Sequence, residues 1–383
     1  MNAHTEIKAD AVTKSLTVDI GDLRAALGWV NIVRQARNTI PILGQNLFVV
    51  EGGILSVTAT DLDREATEAV LCEASDDWSF VANGFRILKV TAGLTGLVKI
   101  EHDPSNDRLT LTCDGITLVM NLIAPPEDWP HLRVDAYKPI GDIEVGEAVL
   151  HEALKLVTPC ISTEETRYYL NGIYFCAENG GLRMVTTDGH RLARLDLDVP
   201  EPPENVILPR VAVAPLAAML KAKGNQSAKV SYYGVTGQPM IMSFARGDRT
   251  LHTKLIDGTY PDYTRVIPSE GRENKVDIVV PRSAAQRLRL MADGDRWSQK
   301  ACRISPAKGT MTMGTANSEA SLSVTFAASG KEGPDVGFNV NYLAQATATL
   351  GDMRLRTSSA GDPALLTCEA HPNLIMVMMP MRI

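Results

Sequence analysis

The sequence predicts an α+β protein with antiparallel sheets, built from three copies of one unit, and three observations carry that reading. Short β-rich runs ending in a small polar turn recur: S-V-T-A-T-D-L-D at 56–63, M-V-T-T-D-G-H-R at 184–191 and M-T-M-G-T-A-N-S at 311–318. Aligning Asp61, Asp188 and Asn317 gives separations of 127 and 129 residues, each about a third of the 383-residue chain. Helical segments ending at Leu94, Leu220 and Leu350 fall into step independently, at separations of 126 and 130. Two coincident periods mark an internal repeat. The expected domains are 1–140, 141–271 and 272–383, with junctions in P-P-E-D-W-P-H at 125–131 and S-E-G-R-E-N-K at 269–275.

Residues 1 to about 14 show no periodicity and read as a frayed extension. The segment 22–37 places Leu23, Ala26, Leu27, Val30 and Val33 on one helical face, with Asp22 as an early acid and Pro41 closing the segment beyond it. Comparable helical segments are 84–94, 146–162, 210–223, 282–293 and 339–351. Between them, β-branched or alternating runs such as R-L-T-L-T-C at 108–113 and L-S-V-T-F at 322–326, bounded by Gly, Asp and Asn, read as strands. Each repeat thus holds two helices and a set of short antiparallel strands.

With 45% hydrophobic and 22% charged residues, the chain has enough apolar material for cores, which excludes disorder and collagen-like repetition. Six cysteines, at 72, 113, 160, 176, 302 and 368, form no C-x-x-C and read as scattered reduced core thiols of a cytosolic protein. The first residues carry acids and no apolar h-region, and no apolar run approaches the ~18 residues of a membrane span, so the expected location is cytoplasmic, with no membrane partner.

The net charge of −7 hides a partition. The six helical segments hold twelve Lys and Arg against four Asp and Glu, a net of +8, so the remainder of the chain carries −15. Helices tolerate solvated Lys and Arg without any further role. The functional alternative is a basic helical lining inside an acidic shell, which attracts the phosphate backbone of a duplex without reading bases. No aromatic stacking platform for single strands is evident.

Catalytic motifs are absent. No P-loop, G-x-G-x-x-G, H-E-x-x-H or metal-spaced His and Cys cluster occurs, so no catalytic residue, metal site or cofactor is expected. An enzyme using Asp188 and His190 is the distant alternative, but no second carboxylate, Cys or Ser motif completes such a site.

Four segments carry a resemblance. They are R-N-T-I-P-I-L at 37–43 with T-D-L-D at 60–63; E-T-R-Y-Y-L-N-G at 165–172 with T-D-G-H-R-L-A at 187–193; L-I-D-G-T-Y-P-D-Y-T-R-V-I-P at 255–268; and G-F-N-V-N-Y at 337–342 with the terminal V-M-M-P-M-R-I. In these the chain resembles the bacterial DNA polymerase III beta subunit family, the replicative sliding clamps, over essentially its whole length after the extension. The resemblance implies a non-catalytic processivity factor that encircles duplex DNA as a head-to-tail homodimer, six similar domains in a ring with helices lining the hole. It also implies binding of the polymerase alpha subunit, the clamp loader, repair polymerases and mismatch-repair proteins through short linear peptides. A specialised or inhibitor-resistant second clamp serving a repair polymerase is the near alternative.

Arg37 matches a family residue that contacts DNA; Arg24, Arg34, Arg86, Lys89, Lys221 and Lys223 are assigned to the channel from helix position. Carried over by motif, the peptide pocket comprises Leu170, Thr187, Gly189, His190, Arg191 and Leu192, then Pro261, Arg265 and Val266, with Arg167, Tyr169, Asn339 and Tyr342 nearby. The C-terminus adds Val377, Met378, Met379, Pro380, Met381 and Arg382. Methionines suit a groove that repacks around different peptides. Read from its residues alone, V-M-M-P-M is a buried final strand, and both readings hold together because alternate residues of a strand face opposite ways. For the dimer contact the family pattern suggests Leu290 and Met291 against Thr117 to Val119, while the plain reading makes Leu290 and Met291 part of their helix's own core. The sequence departs from the common pattern at its extended N-terminus, at N-G-F-R 83–86 and at G-D-P-A-L-L 361–366.

Overall fold

One order of elements recurs three times in the computed structural model, which describes residues 13–34, 39–235, 238–269, 271–294, 301–314, 321–327, 330–331 and 333–383. The first pass runs β1 (Lys14–Asp19), α1 (Ile20–Val30), β2 (Asn46–Glu51), β3 (Ile54–Thr60), β4 (Arg64–Ala74), β5 (Trp78–Ala82), α2 (Gly84–Val90), β6 (Leu97–Asp103), β7 (Arg108–Cys113) and β8 (Ile116–Asn121). The second runs β9 (Lys138–Gly146), α3 (Glu147–Val157), β10 (Gly172–Glu178), β11 (Gly181–Thr187), β12 (Arg191–Pro200), β13 (Val206–Pro209), α4 (Arg210–Met219), β14 (Ser227–Val235), β15 (Gln238–Arg246) and β16 (Arg249–Lys254). The third runs β17 (Val276–Val280), α5 (Arg282–Gly294), β18 (Ala301–Ser305), β19 (Thr310–Gly314), β20 (Ser321–Thr325), a short extra β21 (Gly330–Lys331), β22 (Val336–Asn339), α6 (Val340–Leu350), β23 (Met353–Thr357), β24 (Ala364–Thr367) and β25 (Leu374–Met378). The fold class is α+β, and every strand pairing among the described residues is antiparallel. The expected frayed extension lies almost wholly outside the described residues.

Pairing repeats along with order. β1 pairs β6, β9 pairs β14 and β17 pairs β23. Across passes, β4 pairs β16 and β12 pairs β25. By contacts the chain divides into two compact units, the described part of Met1–Glu147 with Val211–Lys254, and Ala148–Arg210 with Leu255–Ile383, a division that passes through the segment 141–271. In the first unit β8 is the free end of a path β8-β7-β6-β1-β4-β16-β15-β14-β9. In the second, one sheet runs β13-β10-β11-β12-β25-β24-β23-β17-β21, and β20 is the free end of a four-stranded sheet β20-β19-β18-β22.

The helices begin within two residues of where the sequence places them; α5 and α6 also end within one residue of the expected positions, whereas α1, α2, α3 and α4 stop earlier. Asp19 caps α1, its Oδ1 accepting from the N–H groups of Gly21 at 2.8 Å and Asp22 at 3.1 Å, the arrangement that favours Asp at an N-cap. The segment expected to reach residue 37 leaves α-helix after Val30, where the Asn31 side-chain amide donates to the Leu27 carbonyl at 2.7 Å. α2 ends at Val90 rather than Leu94, with the Thr91 hydroxyl on the Ile87 carbonyl at 2.7 Å. α3 ends at Val157 and passes into a 3-10 turn that contains Pro159, and α4 stops at Met219. Small polar side chains that bond nearby backbone, Asn31, Thr91 and Thr158, compete with helix continuation at the ends of α1, α2 and α3. All six cysteines are free thiols; Cys113, Cys160, Cys176 and Cys302 are buried, and burial pushes the Cys160 thiol up to about 12.

Candidate nucleic-acid and peptide interfaces

The turn T-D-x-x-R is built twice with the same hydrogen bonds. After β3, Asp61 Oδ1 accepts from the backbone N–H of Asp63 at 3.2 Å and of Arg64 at 2.7 Å, and its Oδ2 accepts from Arg64 Nε at 3.1 Å. After β11, Asp188 Oδ1 accepts from the N–H of His190 at 2.9 Å and of Arg191 at 3.0 Å, and its Oδ2 from Arg191 Nε at 3.1 Å. Thr60 and Thr187 play matching parts, each hydroxyl donating to the Arg carbonyl at 2.8 Å. The residue after the Asp and before the last step takes a positive φ, 77° at Leu62 and 86° at Gly189. Glycine occupies that conformation without strain; leucine does not.

What each guanidinium then reaches differs. Arg64 Nη1 donates to the Val211 carbonyl in α4, and Nη2 donates to the Val33 carbonyl at 3.3 Å. Val211 needs that donor because Pro215, four residues on in the same helix, has no N–H to give it. Arg191 Nη1 donates to the Gln345 side-chain Oε1 at 2.5 Å in α6, and its guanidinium carbon stands 4.4 Å from the centre of the Tyr342 ring. Positions 215 and 345 are 130 apart, the period that relates α4 to α6.

Around the second turn the expected peptide-site residues converge within one compact unit. β12 pairs β25 in the register Arg191 with Met378 and Leu192 with Val377. Beyond the strand, the Met379 N–H donates to the His190 carbonyl and the Met381 N–H to the Gly337 carbonyl, both at 2.8 Å. Leu170, Leu192 and Val377 are buried in one cluster with Val185, Ile207 and Tyr260. These residues are buried, whereas Met379 and Met381 are exposed at 38% and 37%. The segment 255–268 crosses this cluster: Tyr260 stacks on Tyr174 at 4.7 Å, and the Ile256 N–H donates to the Ile207 carbonyl at 3.0 Å. Pro261 precedes a 3-10 turn Tyr263–Val266 in which Arg265 is bound to Asp262 at 2.9 Å and Val266 is 40% exposed.

Several expected pocket side chains already have partners. Asn339 caps α6 by accepting from the Asn341 N–H at 3.0 Å. Arg167 is bound to Glu164 at 2.8 Å and stands so near Gly189 that a Cβ there would fall 2.6 Å from its Nη1. His190 is exposed and stacks on Tyr342 at 6.2 Å. The Asp188 carboxylate is engaged by two N–H groups and Arg191, so the Asp188 and His190 pair is part of a turn and a ring stack.

In the other unit, Arg24, Arg34, Arg86, Lys89, Lys221 and Lys223 are exposed or half-buried, and none of the six makes an ion pair among the described residues. Arg34 and Lys89 lie 4.9 and 4.7 Å from the ring centre of Phe85, which holds both cations at the surface. Lys221 and Lys223 follow the end of α4, so they are turn residues and not helix residues as the periodicity suggested. Arg37 lies outside the described residues. Val119 is 50% exposed on β8 and Leu290 is 74% exposed on α5, which places Leu290 outside its helix's own core; the Met291 side chain lies outside the described residues.

Comparison with known proteins closes the question of family. The family model for the DNA polymerase III beta subunit, N-terminal domain, matches residues 15–133, and that for its central domain matches residues 144–262. The chain belongs to the DNA polymerase III beta subunit family. The beta sliding clamp of Caulobacter vibrioides is 29% identical over 381 residues, covering 96% of this chain and all of the relative. That of Pseudomonas aeruginosa is 28% identical over 392 residues, covering 99% of this chain. A crystal structure of the Caulobacter crescentus beta sliding clamp, with PEG bound to a putative beta-motif tethering region, superimposes with a TM-score of 0.85 at 28% identity, covering 97% of this chain and 99% of that one. The Bartonella birtlesii clamp bound to griselimycin gives the same TM-score and identity over 97% of this chain and all of that one.

Within this beta-family chain, sequence reasoning missed Arg64, Pro215, Gln345 and Glu147. Glu147 opens α3 with its carboxylate buried, accepting from Arg246 Nε at 2.7 Å and from the N–H groups of Lys221 and Gln226, each at 3.2 Å. Burial pushes this carboxyl up, but the Arg246 bond and the two backbone donors outweigh it and hold it below the usual carboxylate range. A Cβ on Gly224 would fall 1.7 Å from Glu147 Oε1, so the site requires glycine there. The signal available was the recurrence of T-D-x-x-R itself, at 60–64 and 187–191.

Proposed function

We propose that this chain is a replicative DNA sliding clamp: a non-catalytic, cytoplasmic ring of two head-to-tail copies that encircles duplex DNA and tethers the polymerase. The observation that carries the reading is the set of six cations without ion-pair partners among the described residues, in a family member whose net charge is −7. A ring stays on DNA by topology, so its lining needs only weak, screened attraction, and tight binding would act as friction. The three passes of elements serve as three domains, near 1–140, 141–271 and 272–383. Their pairing pattern favours the dimer, because β4 pairs β16 and β12 pairs β25, while β20, the next strand of that series, and β8 are among the strands that end their sheets within the described residues. Extending the series joins β20 of one copy to β8 of the next, with Leu290 and Val119 beside the seam. An unpaired edge is a template for another strand.

The test combines mass in solution with retention on circular and linearised nicked DNA after loader treatment. A particle of twice the 41.5 kDa chain mass that stays on circles and slides off linear ends is expected. A monomer, or equal loss from both templates, overturns the ring. Replacing Arg86, Lys221 and Lys223 together by Glu should cut retention on circles by about tenfold or more while leaving the dimer intact; normal retention would remove these residues from the channel.

Clamp-binding peptides of the polymerase alpha subunit, the clamp loader, repair polymerases and mismatch-repair proteins occupy the site over Leu170, Leu192 and Val377, with Met379 and Met381 as its movable wall. Met381→Ala should weaken binding of such a peptide roughly fivefold, from the lost apolar contact, read by fluorescence anisotropy. Unchanged affinity would place the peptide elsewhere.

A further inference from the structure

A cavity of about 640 Å³ continues the peptide site along the same sheet face. Arg194 lies two residues beyond Leu192 on β12 and Ile375 two residues before Val377 on β25, and Arg194 pairs with Ile375 in the ladder. Alternate residues share a face and rise 3.2–3.4 Å each, so the cavity starts about 7 Å from the floor of the pocket. Leu365 and Ile267 belong to both, lining the cavity and packing on the buried cluster.

The cavity is cationic. Arg194 and Arg356 line it together with Thr264, Ser269, Asn274 and Thr367, and no carboxylate lines it. The Nε atoms of Arg194 and Arg356 are buried and have no hydrogen-bond partner. Two acids beside these arginines are committed elsewhere. Asp196 approaches Arg194 Nη2 at 3.4 Å but is bound by Arg183 at 2.5 and 3.2 Å. Asp277, cross-strand from Arg356, is bound by Arg354 at 2.7 and 2.8 Å. Both guanidinium groups belong to residues that line the cavity, and a planar cation whose donors are not all used is a group that a carboxylate from outside the chain can bind.

We propose that this cavity is an acid subsite, taking the carboxylate of an aspartate or glutamate in a partner peptide whose apolar residues fill the adjoining pocket. The proposal rests on the peptide-binding reading above. Continuity with that pocket favours a peptide side chain over a free anion, and the apolar part of the wall, Ile267, Pro268, Leu365, Pro372 and Ile375, suits the chain that carries the acid.

Two fluorescein-labelled peptides test it, sharing an apolar Leu-Leu-Phe core and differing in a tail of serines or of aspartates, each titrated against the full chain. The aspartate tail should bind about tenfold tighter at low salt, an advantage that shrinks as salt rises. Arg194→Gln and Arg356→Gln should each reduce the ratio towards one while leaving the serine-tailed affinity unchanged, which also shows that the variants fold. Equal binding of the two peptides by the unmodified chain overturns the acid subsite and leaves the pocket reading standing. A tail preference that survives both substitutions overturns it as well, and failure of both peptides to bind overturns the pocket and the subsite together.

Discussion

Arg64→Met should be among the most destabilising single substitutions in the compact unit that contains it, costing about 3–5 kcal/mol and lowering its unfolding midpoint on the order of 10 °C. The Arg64 and Asp61 side chains are only 10% and 5% exposed and bond at 2.6 Å. Removing the guanidinium strands a buried carboxylate and leaves the Val211 and Val33 carbonyls without this donor. Pro215→Ala is the informative companion. It returns an N–H to the Val211 carbonyl, so Arg64→Met should cost about 1 kcal/mol less in the Pro215→Ala background. Denaturant or thermal unfolding of the four proteins of this cycle measures the coupling. Strict additivity would show that the proline and the arginine are unrelated.

The second large effect is in acid. Glu147 titrates below the usual carboxylate range when folded, so its contribution to stability is fully present above the unfolded value of about 4.5 and is lost as pH falls through the depressed folded value. Unfolding midpoints followed from pH 7 down to pH 3 should drop more steeply for the unmodified protein than for Glu147→Gln, which starts lower because Arg246 has lost its anion. Glu65 works in the opposite sense, since burial raises its carboxyl despite His131. The comparison is therefore between protein and variant, where Glu65 is common to both. Parallel pH profiles would mean that Glu147 is not the titrating group.

Much of the fold was legible because helix starts and strand runs are written locally. Asp19, Asn83 and Asn339 cap three of the helices through their own side chains, and R-L-T-L-T-C at 108–113 is β7 to the residue. Helix ends were less legible, because Asn31 and Thr91 divert a polar side chain onto a carbonyl one turn back, a competition that apolar spacing does not record. The residues expected at a peptide site were legible as types, yet Leu192 and Val377 are buried while Met379 and Met381 stand at the surface. That assignment depends on which way β25 enters the sheet. The link from Arg64 to Pro215 was not legible, since it joins a side chain to a backbone carbonyl 147 residues away that is free only because a third residue is proline.

The two T-D-x-x-R turns also share something that their side-chain identities hide. Proline at 215 and glutamine at 345 share no chemistry as side chains, and a residue-by-residue comparison scores them as unrelated. Each nevertheless delivers one carbonyl oxygen to an arginine, the first by withholding a hydrogen from its own helix and the second by extending an amide. What the two turns share is an oxygen acceptor for the arginine Nη1, and a backbone carbonyl and a side-chain amide serve as synonyms for it.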